Sequence, residues 1–425
     1  MSSTKGKSLA AASDTATVDK LNSEFYNQIE YPGPVHKLER FAETDLWPKM
    51  LGHDIGEYGG VLEIREIWVA GCGRNQALIT ALKFPEAHVL GSDLSESSLA
   101  VCRAYADALG VDNLTLEKAS INDCSYSDRF DYVISTGVIH HNADPLEPLA
   151  RLSTSLRPKG ILELMVYNEY HRLHSAAFQQ VVRMLVGNVH QPDLAREVIV
   201  AKKLAASLTT PCAMAEFLRE FTEPDIRPAY FADSLLQPVE HSYNVATLEG
   251  LASRCNLEML TFCVDKFSSA LNRISWNLEL ADAELSSLYY ALPDSARWHI
   301  ANLVLQDASP MLWFYYQRKD CPRRRRSEKE ICDEFLRTRF SAISTTTEAW
   351  MLGPDGTYGL LDKGIPFPGG RRPHGAAGRV YDQLDGRQPM RDIFARLGLD
   401  ASFVTANLVR TNLATSAFPF ACASQ

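Results

Sequence analysis

Short apolar runs alternate with helix-like segments between Glu66 and Tyr167 of this 425-residue chain. Apolar runs of four to seven residues are typical of strands buried in a sheet, and the segments between them carry apolar residues in helical spacing. The predicted strands are 67–70, 88–93, 114–119, 130–136 and 161–167, and the predicted helices are 76–84, 95–109 and 145–156. This order predicts an α/β domain with a doubly wound, mostly parallel sheet.

Two further apolar runs and one long helical segment extend this domain. Residues 258–264 and 311–317 predict the last two strands of the sheet. Residues 169–245 are mostly helical in pattern and follow the fifth strand, so we predict a helical lid or substrate insertion over the carboxyl end of the sheet. The predicted domain then spans residues 20–320.

The two ends of the chain differ in character from this domain. Residues 1–19 are small and polar, which predicts a disordered leader. Residues 321–334 contain four consecutive arginines, and we interpret them as a solvated linker rather than as a nucleic-acid patch. Residues 335–425 are predicted to form a smaller C-terminal domain, either an α+β lobe or a winged-helix-like lobe.

Composition narrows the class of protein. The chain is 46% hydrophobic and 22% charged, which is ordinary for a globular protein. Its net charge of -9 disfavours nucleic-acid partners, because phosphate contacts need a basic face. The nine cysteines form no C-x-x-C pair, and no apolar run approaches the roughly 20 residues that span a bilayer. We therefore predict a cytoplasmic protein with reduced cysteines and no membrane partner.

A glycine turn and a downstream acid carry the first functional signal. Gly71 and Gly73 follow the first strand, where a tight turn brings backbone N–H groups to the sheet edge. Asp93 ends the next strand about 20 residues later, where a carboxylate binds the ribose hydroxyls of a nucleoside cofactor. The alternative role for Asp93 is to cap the following helix, and the spacing favours the ribose role.

Several ordered motifs resemble one enzyme family. The chain reads VAGCGRNQA, GSDLSESSLA, FDYVISTGVIHHNADP and LRPKG in that order, with NQIEYPGP upstream and FADSLLQPVEHSY downstream. This series resembles class I S-adenosylmethionine-dependent methyltransferases, and in particular the subgroup called methyltransferase type 12. The resemblance covers residues 20–320 and implies a Rossmann-like fold with S-adenosylmethionine as cofactor.

The resemblance also implies a set of cofactor contacts. The glycine turn would lie against the methionine moiety of the cofactor, the acid at the end of the next strand would hold the ribose, and the adenine ring would lie beyond it. The positions implied are Gly71, Gly73, Asn75, Asp93, Leu94, Ser120, Ile121, Thr136 and Gly137.

Two of these positions depart from the family pattern. Asn75 replaces the third glycine of the usual turn, and Ser120 replaces the acid that commonly contacts the adenine amino group. These departures leave open a second hypothesis, in which the chain keeps the fold as an inactive scaffold that binds a partner. A nicotinamide dehydrogenase is disfavoured, because the turn is G-C-G-R-N-Q rather than G-x-G-x-x-G.

The candidate catalytic residues are four polar side chains and one aromatic. His140 and His141 follow the fourth strand, where an imidazole can take a proton from the methyl acceptor, although such a pair also packs within a loop. Glu240 and His241 form either a base with its orienting carboxylate or a structural pair. Tyr31 is either an aromatic flap over the cofactor or a packing residue.

The predicted reaction is methyl transfer to an oxygen or nitrogen of a small metabolite or a peptide side chain, as in natural product or peptide modification. The enzyme must align the acceptor with the methyl group and exclude water. No spacing of ligands suggests a metal. An oligomer is compatible with the sequence, which does not specify the acceptor or the role of the C-terminal domain.

Overall fold

The structure is a computed structural model that describes residues 14–29, 33–187, 193–223, 225–263, 276–415 and 419–424. Its strands are β1 (Lys37–Phe41), β2 (Glu66–Ala70), β3 (His88–Asp93), β4 (Leu114–Lys118), β5 (Phe130–Thr136), β6 (Leu156–Tyr167), β7 (Leu257–Phe262), β8 (Met311–Arg318), β9 (Arg339–Ala342), β10 (Thr345–Leu352), β11 (Tyr358–Phe367), β12 (Asp385–Pro389) and β13 (Ala421–Ala423).

Helices connect these strands and cover their faces. They are α1 (Thr15–Gln28), α2 (Leu46–Asp54), α3 (Gln76–Lys83), α4 (Glu96–Leu109), α5 (Leu146–Ser155), α6 (Glu169–Val186), α7 (Leu194–Ser207), α8 (Ala213–Phe217), α9 (Pro228–Leu235), α10 (Val245–Arg254), α11 (Ala283–Tyr290), α12 (Asp294–Leu305), α13 (Glu328–Arg337), α14 (Gly375–Tyr381), α15 (Met390–Arg396) and α16 (Phe403–Leu413). Among the described residues, no helix has both the length and the apolar character needed to cross a bilayer.

A seven-stranded sheet forms the centre of the molecule, in the order β4-β3-β2-β5-β6-β8-β7. The first five strands in this order are parallel, whereas β8 runs antiparallel to β6 and β7 antiparallel to β8. The predicted α/β fold with a mostly parallel sheet is confirmed, and so is the placement of the last two runs as its final strands. The central strands are buried on both faces, which is why they read as near-continuous apolar runs.

Each face of the sheet packs into its own core. One core contains Ile67, Val69 and Ile134 under α2 and α3, and the other contains Trp68 and Val133 under α5, α10 and α12. Because side chains alternate between the two faces of a strand, neighbouring residues of β2 and β5 belong to different cores. The segment 169–245 is mostly helical, as predicted, and contains α6 to α9.

The C-terminal part of the chain is a small α+β lobe, as predicted, with its own apolar core. Its antiparallel sheet has the order β12-β9-β13 and packs with α13 to α16. A separate sheet joins the two ends of the chain, because β1 pairs with β10, from Lys37 opposite Met351 to Phe41 opposite Thr347. The boundary between the predicted domains is therefore bridged by strand pairing.

Two of the predicted segment assignments are wrong. Residues 321–334 are not a free linker, because α13 begins within them and three of their four consecutive arginines lie beside acids. Arg324 lies 2.8 Å from Glu330, and Arg325 lies 2.9 Å from Asp294. The leader also ends earlier than predicted: α1 begins at Thr15, whereas the disordered leader was predicted to reach residue 19. Residues 1–13 lie outside the described part of the chain.

Candidate active site

A cavity of about 610 Å³ lies at the carboxyl ends of β2, β3, β4 and β5. This edge is where parallel α/β sheets bind ligands, since the loops that follow neighbouring strands diverge there. The nine predicted cofactor contacts all line the cavity: Gly71, Gly73, Asn75, Asp93, Leu94, Ser120, Ile121, Thr136 and Gly137. The topology thus brings together residues that lie up to 66 positions apart in the sequence.

The glycine turn after β2 has a backbone that other residues rarely adopt. Gly71 has φ of 73° and Gly73 has φ of 52°. A Cβ at Gly71 would lie 2.2 Å from Cγ2 of Val138, so glycine is required there for space as well as for conformation. The N–H of Gly71 donates to the carbonyl of Ser92 at 2.8 Å, which fixes the turn against β3.

Asp93 lines the cavity and holds the turn. Its two carboxylate oxygens accept hydrogen bonds from the N–H groups of Gly73 and Ser95, each at 2.8 Å. Burial raises the pKa of Asp93, and these N–H donors partly offset the rise. The cap of α4 is Ser95, whose side chain accepts from the N–H of Ser98. Each carboxylate oxygen of Asp93 keeps a further lone pair for a hydroxyl donor.

Helix α1 contributes a carboxylate that the sequence analysis missed. Asp19 lines the cavity, and Ser120 Oγ donates to Asp19 Oδ2 at 2.5 Å, while Asn122 Nδ2 donates to Oδ1 at 3.3 Å. Burial raises the pKa of Asp19, and the two donors oppose that rise. An acid therefore stands beside Ser120, the residue that replaces the acid of the family pattern. It comes from a different part of the chain.

The N-terminal helix is docked over the cavity by polar contacts. Asn22 Nδ2 donates to the carbonyl of His141 at 2.7 Å, and Ser23 Oγ donates to the carbonyl of Leu94 at 3.2 Å. Asp14 caps the helix by accepting from the N–H of Thr17. A sequence signal for this helix exists in the Asp14 cap and in apolar residues at helical spacing, but the polar composition of residues 1–19 concealed it.

Asn75 has a structural partner outside the glycine turn. Its Nδ2 donates to the carbonyl of Gly33 at 3.2 Å, and both residues line the cavity. The replacement of the third glycine therefore ties the segment after α1 to the turn after β2. Tyr31, the predicted aromatic flap, lies outside the described residues.

Of the two histidines after β5, only His141 lines the cavity. His141 Nδ1 lies 2.8 Å from the carbonyl of Val239, so Nδ1 carries the proton and Nε2 the lone pair. Burial lowers the pKa of His141 to about 4. His140 is fully buried and packs against Tyr167, with ring centroids 4.1 Å apart. Its predicted catalytic role is not supported, since it does not reach the cavity.

The predicted pair of Glu240 and His241 is wrong. The Glu240 carboxylate accepts from Arg172 Nε at 2.7 Å and from Arg172 Nη2 at 2.5 Å, in a buried ion pair. His241 Nε2 lies 3.0 Å from the carbonyl of Asn142. Adjacent residues in an extended segment face opposite ways, so the two side chains have different partners. Neither lines the cavity, and no described residue from 169 to 245 does so. The insertion is helical, and its role as a lid or substrate insertion stays a prediction.

The fold and the site together are typical of a nucleoside-binding α/β domain, with a glycine turn, an acid at the end of the next strand and a second acid beside Ser120. Comparison with known proteins gives the class more closely. Residues 70–209 match the family model described as a methyltransferase domain. Residues 70–209 are therefore a class I S-adenosylmethionine-dependent methyltransferase domain, as the resemblance implies, and membership of the type 12 subgroup stays a prediction.

Individual relatives share the domain at low identity. An uncharacterized protein of Synechococcus sp. is 29% identical over 197 residues, which cover 45% of this chain and 47% of that protein. Trans-aconitate 2-methyltransferase of Deinococcus radiodurans is 32% identical over 161 residues, which cover 37% of this chain and 57% of the relative. The chain thus spans about half the length of each of these two relatives.

A solved structure shares the fold over most of the chain. PKMT2 from Rickettsia typhi matches with a TM-score of 0.54 at 15% identity, covering 91% of this chain and 76% of that one. The same protein in complex with AdoHcy matches with a TM-score of 0.53. At this identity the likeness concerns the fold alone.

Proposed function

We propose that the whole chain is an active methyltransferase that transfers a methyl group from S-adenosylmethionine to an oxygen or nitrogen of a small metabolite or a peptide side chain, in the cytoplasm. One observation supports this proposal above the others. The nine residues that the motifs predict to contact the cofactor line one cavity. An acid from α1 lies beside Ser120, where this chain lacks the acid of the family pattern.

The residues that line the cavity fit the cofactor. The turn from Gly71 to Gly73 offers a backbone without side chains on which the methionine moiety can lie. Asp93 has lone pairs for the two ribose hydroxyls, and Asp19 has them for the adenine amino group. When bound, S-adenosylmethionine supplies a methyl group on a sulfonium, which is an excellent leaving group.

Among the predicted catalytic residues that the structure describes, His141 is the one that reaches the cavity. With a pKa of about 4 its imidazole is neutral at neutral pH, and Nε2 can accept a hydrogen bond from an acceptor hydroxyl or amine. Such a weak base is suited to orienting the acceptor and to taking its proton once the new bond has begun to form. We assign His141 this role as the group that orients the acceptor and takes its proton.

The departures that favoured an inactive scaffold have structural explanations. Asn75 bonds to Gly33, and Ser120 bonds to Asp19, so neither position leaves a gap in the cavity wall. The two curated relatives do not fix the acceptor: one is uncharacterized, and the other is named for trans-aconitate. Oxygen and nitrogen acceptors both remain within the proposal.

Titration calorimetry tests whether the chain binds its cofactor. We expect the full chain to bind S-adenosylmethionine and AdoHcy with micromolar Kd values. Asp93→Asn should raise these Kd values by at least about tenfold, because it removes one charged acceptor. Asp107→Asn is the matched control, because Asp107 is an exposed acid on α4. Absence of binding to the folded wild-type chain would favour the scaffold.

Mass spectrometry tests transfer itself. Small-molecule and peptide fractions incubated with the protein and methyl-labelled S-adenosylmethionine should contain a species that gains one labelled methyl group. His141→Gln should lower kcat more than it raises the Kd of the cofactor, because His141 acts on the acceptor. If cofactor binds and no fraction is ever labelled, the transferase proposal fails.

A further inference from the structure

The cavity continues from the predicted cofactor contacts along one face of the central sheet. Strand register places its lining residues in rows, because Thr136 pairs with Met165 and Ile134 pairs with Glu163. On β8 the same rows continue with Trp313, opposite Met165, and Tyr315, opposite Glu163. Tyr132 lies deeper on β5, about 13 Å from Thr136 at roughly 3.3 Å per residue. The residues of these rows line the cavity: Thr136, Met165, Trp313, Ile134, Glu163, Tyr315 and Tyr132.

Two helices form the opposite wall of this extension. Each contributes residues at helical spacing i, i+3, i+4 and i+7, so each presents a single face to the cavity. These residues are Trp47, Met50, Leu51 and Asp54 on α2, and Gln76, Ile79, Thr80 and Lys83 on α3. We call the space between these two helices and the sheet residues Trp313, Ile134, Glu163, Tyr315 and Tyr132 the gallery.

The gallery is lined by two buried acidic side chains, which a core that only stabilises the fold would not require. Asp54 is 4% exposed and Glu163 is 8% exposed. Glu163 accepts hydrogen bonds from the Tyr132 hydroxyl and, at 3.0 Å, from Trp313 Nε1. Asp54 Oδ2 accepts from the Tyr315 hydroxyl at 2.9 Å. Asp54 Oδ1 is buried and has no hydrogen-bond partner among the described residues.

An unpaired carboxylate oxygen in this position destabilises the fold. Burying a polar group without a partner costs on the order of 1–3 kcal/mol, and more for a charged group. An apolar residue of similar size at position 54 would avoid this cost. The acid is therefore best explained by a ligand that donates a hydrogen bond to Oδ1 when it enters the gallery.

We propose that the gallery binds the methyl acceptor, and that the acceptor is an uncharged aromatic molecule with a hydroxyl group that donates to Asp54. This inference rests on the proposed function, since it places the acceptor next to the donor in one continuous cavity. The walls support an aromatic ring, because Trp47, Tyr132, Trp313 and Tyr315 surround the space. A second functional group of the acceptor lies at the sheet edge, beside Thr136 and His141.

Charge in the gallery disfavours an anionic acceptor. Lys83 and Glu163 have opposite charges that offset each other, and Lys83 Nζ lies 4.2 Å from the centroid of the Trp47 ring. A carboxylate ligand would lose its hydration in this buried space, and Asp54 would repel it when ionised. A polycarboxylate such as trans-aconitate does not fit this chemistry.

Three naphthalene probes test the gallery in the full chain saturated with AdoHcy. The probes are 2-naphthol, which has a donor, naphthalene, which has none, and 2-naphthoate, which is an anion. Quenching of tryptophan fluorescence reports binding, because Trp47 and Trp313 line the space. We expect 2-naphthol to bind most tightly, naphthalene about tenfold more weakly, and 2-naphthoate most weakly of the three.

Two variants locate the binding. Asp54→Leu should weaken 2-naphthol about tenfold and leave naphthalene unchanged, because only the first ligand has a donor for Oδ1. Leu51→Trp fills the gallery and should weaken both ligands, with AdoHcy affinity unaltered. Leu288→Trp is the matched control, since Leu288 is 62% exposed on α11.

The outcomes separate this inference from the proposed function. Failure of AdoHcy to bind would overturn the proposed function, and the inference with it. If AdoHcy binds, the inference alone is overturned when 2-naphthol fails to bind up to its solubility limit, when 2-naphthoate binds more tightly than 2-naphthol, or when Leu51→Trp leaves naphthol affinity unchanged.

Discussion

Substitution of Asp19 by alanine tests whether α1 completes the cofactor site. The change removes a carboxylate that accepts hydrogen bonds from Ser120 and Asn122 and that faces the cavity. Alanine is the best helix former, so α1 itself is not weakened by the replacement. Glu24→Ala is the matched control, because it removes an exposed acid from the same helix outside the cavity.

The expected loss follows from the kind of bond involved. A hydrogen bond to a charged group contributes about 1.5–3 kcal/mol when it is shielded from water. Asp19 is only partly buried, so the lower end applies. A loss of about 1.5 kcal/mol corresponds to roughly a tenfold rise in the Kd of AdoHcy.

A second ligand shows whether the lost bond is to the adenine amino group. The inosine analogue of AdoHcy carries a carbonyl oxygen in place of that group, so the wild-type carboxylate should repel it. Calorimetry should find that the wild type prefers AdoHcy by at least about tenfold and that Asp19→Ala loses most of this preference. If the variant weakens both ligands equally, Asp19 only supports Ser120, and the reasoning is refuted.

Three other substitutions probe the fold and the site. Arg172→Met should lower the free energy of unfolding by about 3–5 kcal/mol in urea titrations, because Glu240 is left buried and unpaired, and adding Glu240→Gln should restore much of it. Gly71→Ala should weaken AdoHcy, and a second change, Val138→Ala, should only partly restore binding, since the positive φ still costs about 1–2 kcal/mol. Burial raises the pKa of Asp54 to about 7, so its contribution to stability is complete below about pH 4 and is lost as pH rises through 7. As pH rises over that range, the free energy of unfolding of the wild type should therefore fall by up to about 4 kcal/mol more than that of Asp54→Asn. An unchanged decline would refute the assigned pKa.

The central strands could be predicted from the sequence because they are buried on both faces. β3 and β5 begin and end at the predicted residues, 88–93 and 130–136. The residues predicted to contact the cofactor could be grouped in the same way, since each lies after a strand end and a parallel sheet brings these ends together around one cavity. Sequence patterns therefore predict the parts of the molecule in which the local preference of the sequence matches the tertiary fold.

The acid on α1 could not be assigned in this way. Asp19 and Ser120 are separated by 101 positions, and nothing local to either one specifies the contact. The same reasoning explains the error at Glu240 and His241. Proximity along the chain suggested a pair, whereas the buried partner of Glu240 is Arg172, 68 positions away on α6. Side-chain partners across elements depend on tertiary packing, which residue spacing does not encode.

The gallery illustrates a signal that lies in the sequence but does not resemble a motif. In β6, Leu162 and Leu164 face one apolar core, while Glu163 between them faces the other side of the sheet. A single acid in the middle of a strand that is buried on both faces must be desolvated, at a cost of several kcal/mol if it is unpaired. Selection for stability alone would replace it, so its presence indicates a polar cavity on that face before any coordinates are known. The alternation of β8, with Trp313 and Tyr315 on the side of Glu163 and Phe314 on the other, extends the same face by one strand. Polar and aromatic residues at every second position of adjacent buried strands therefore predict a binding surface, where an unbroken apolar pattern predicts only a core.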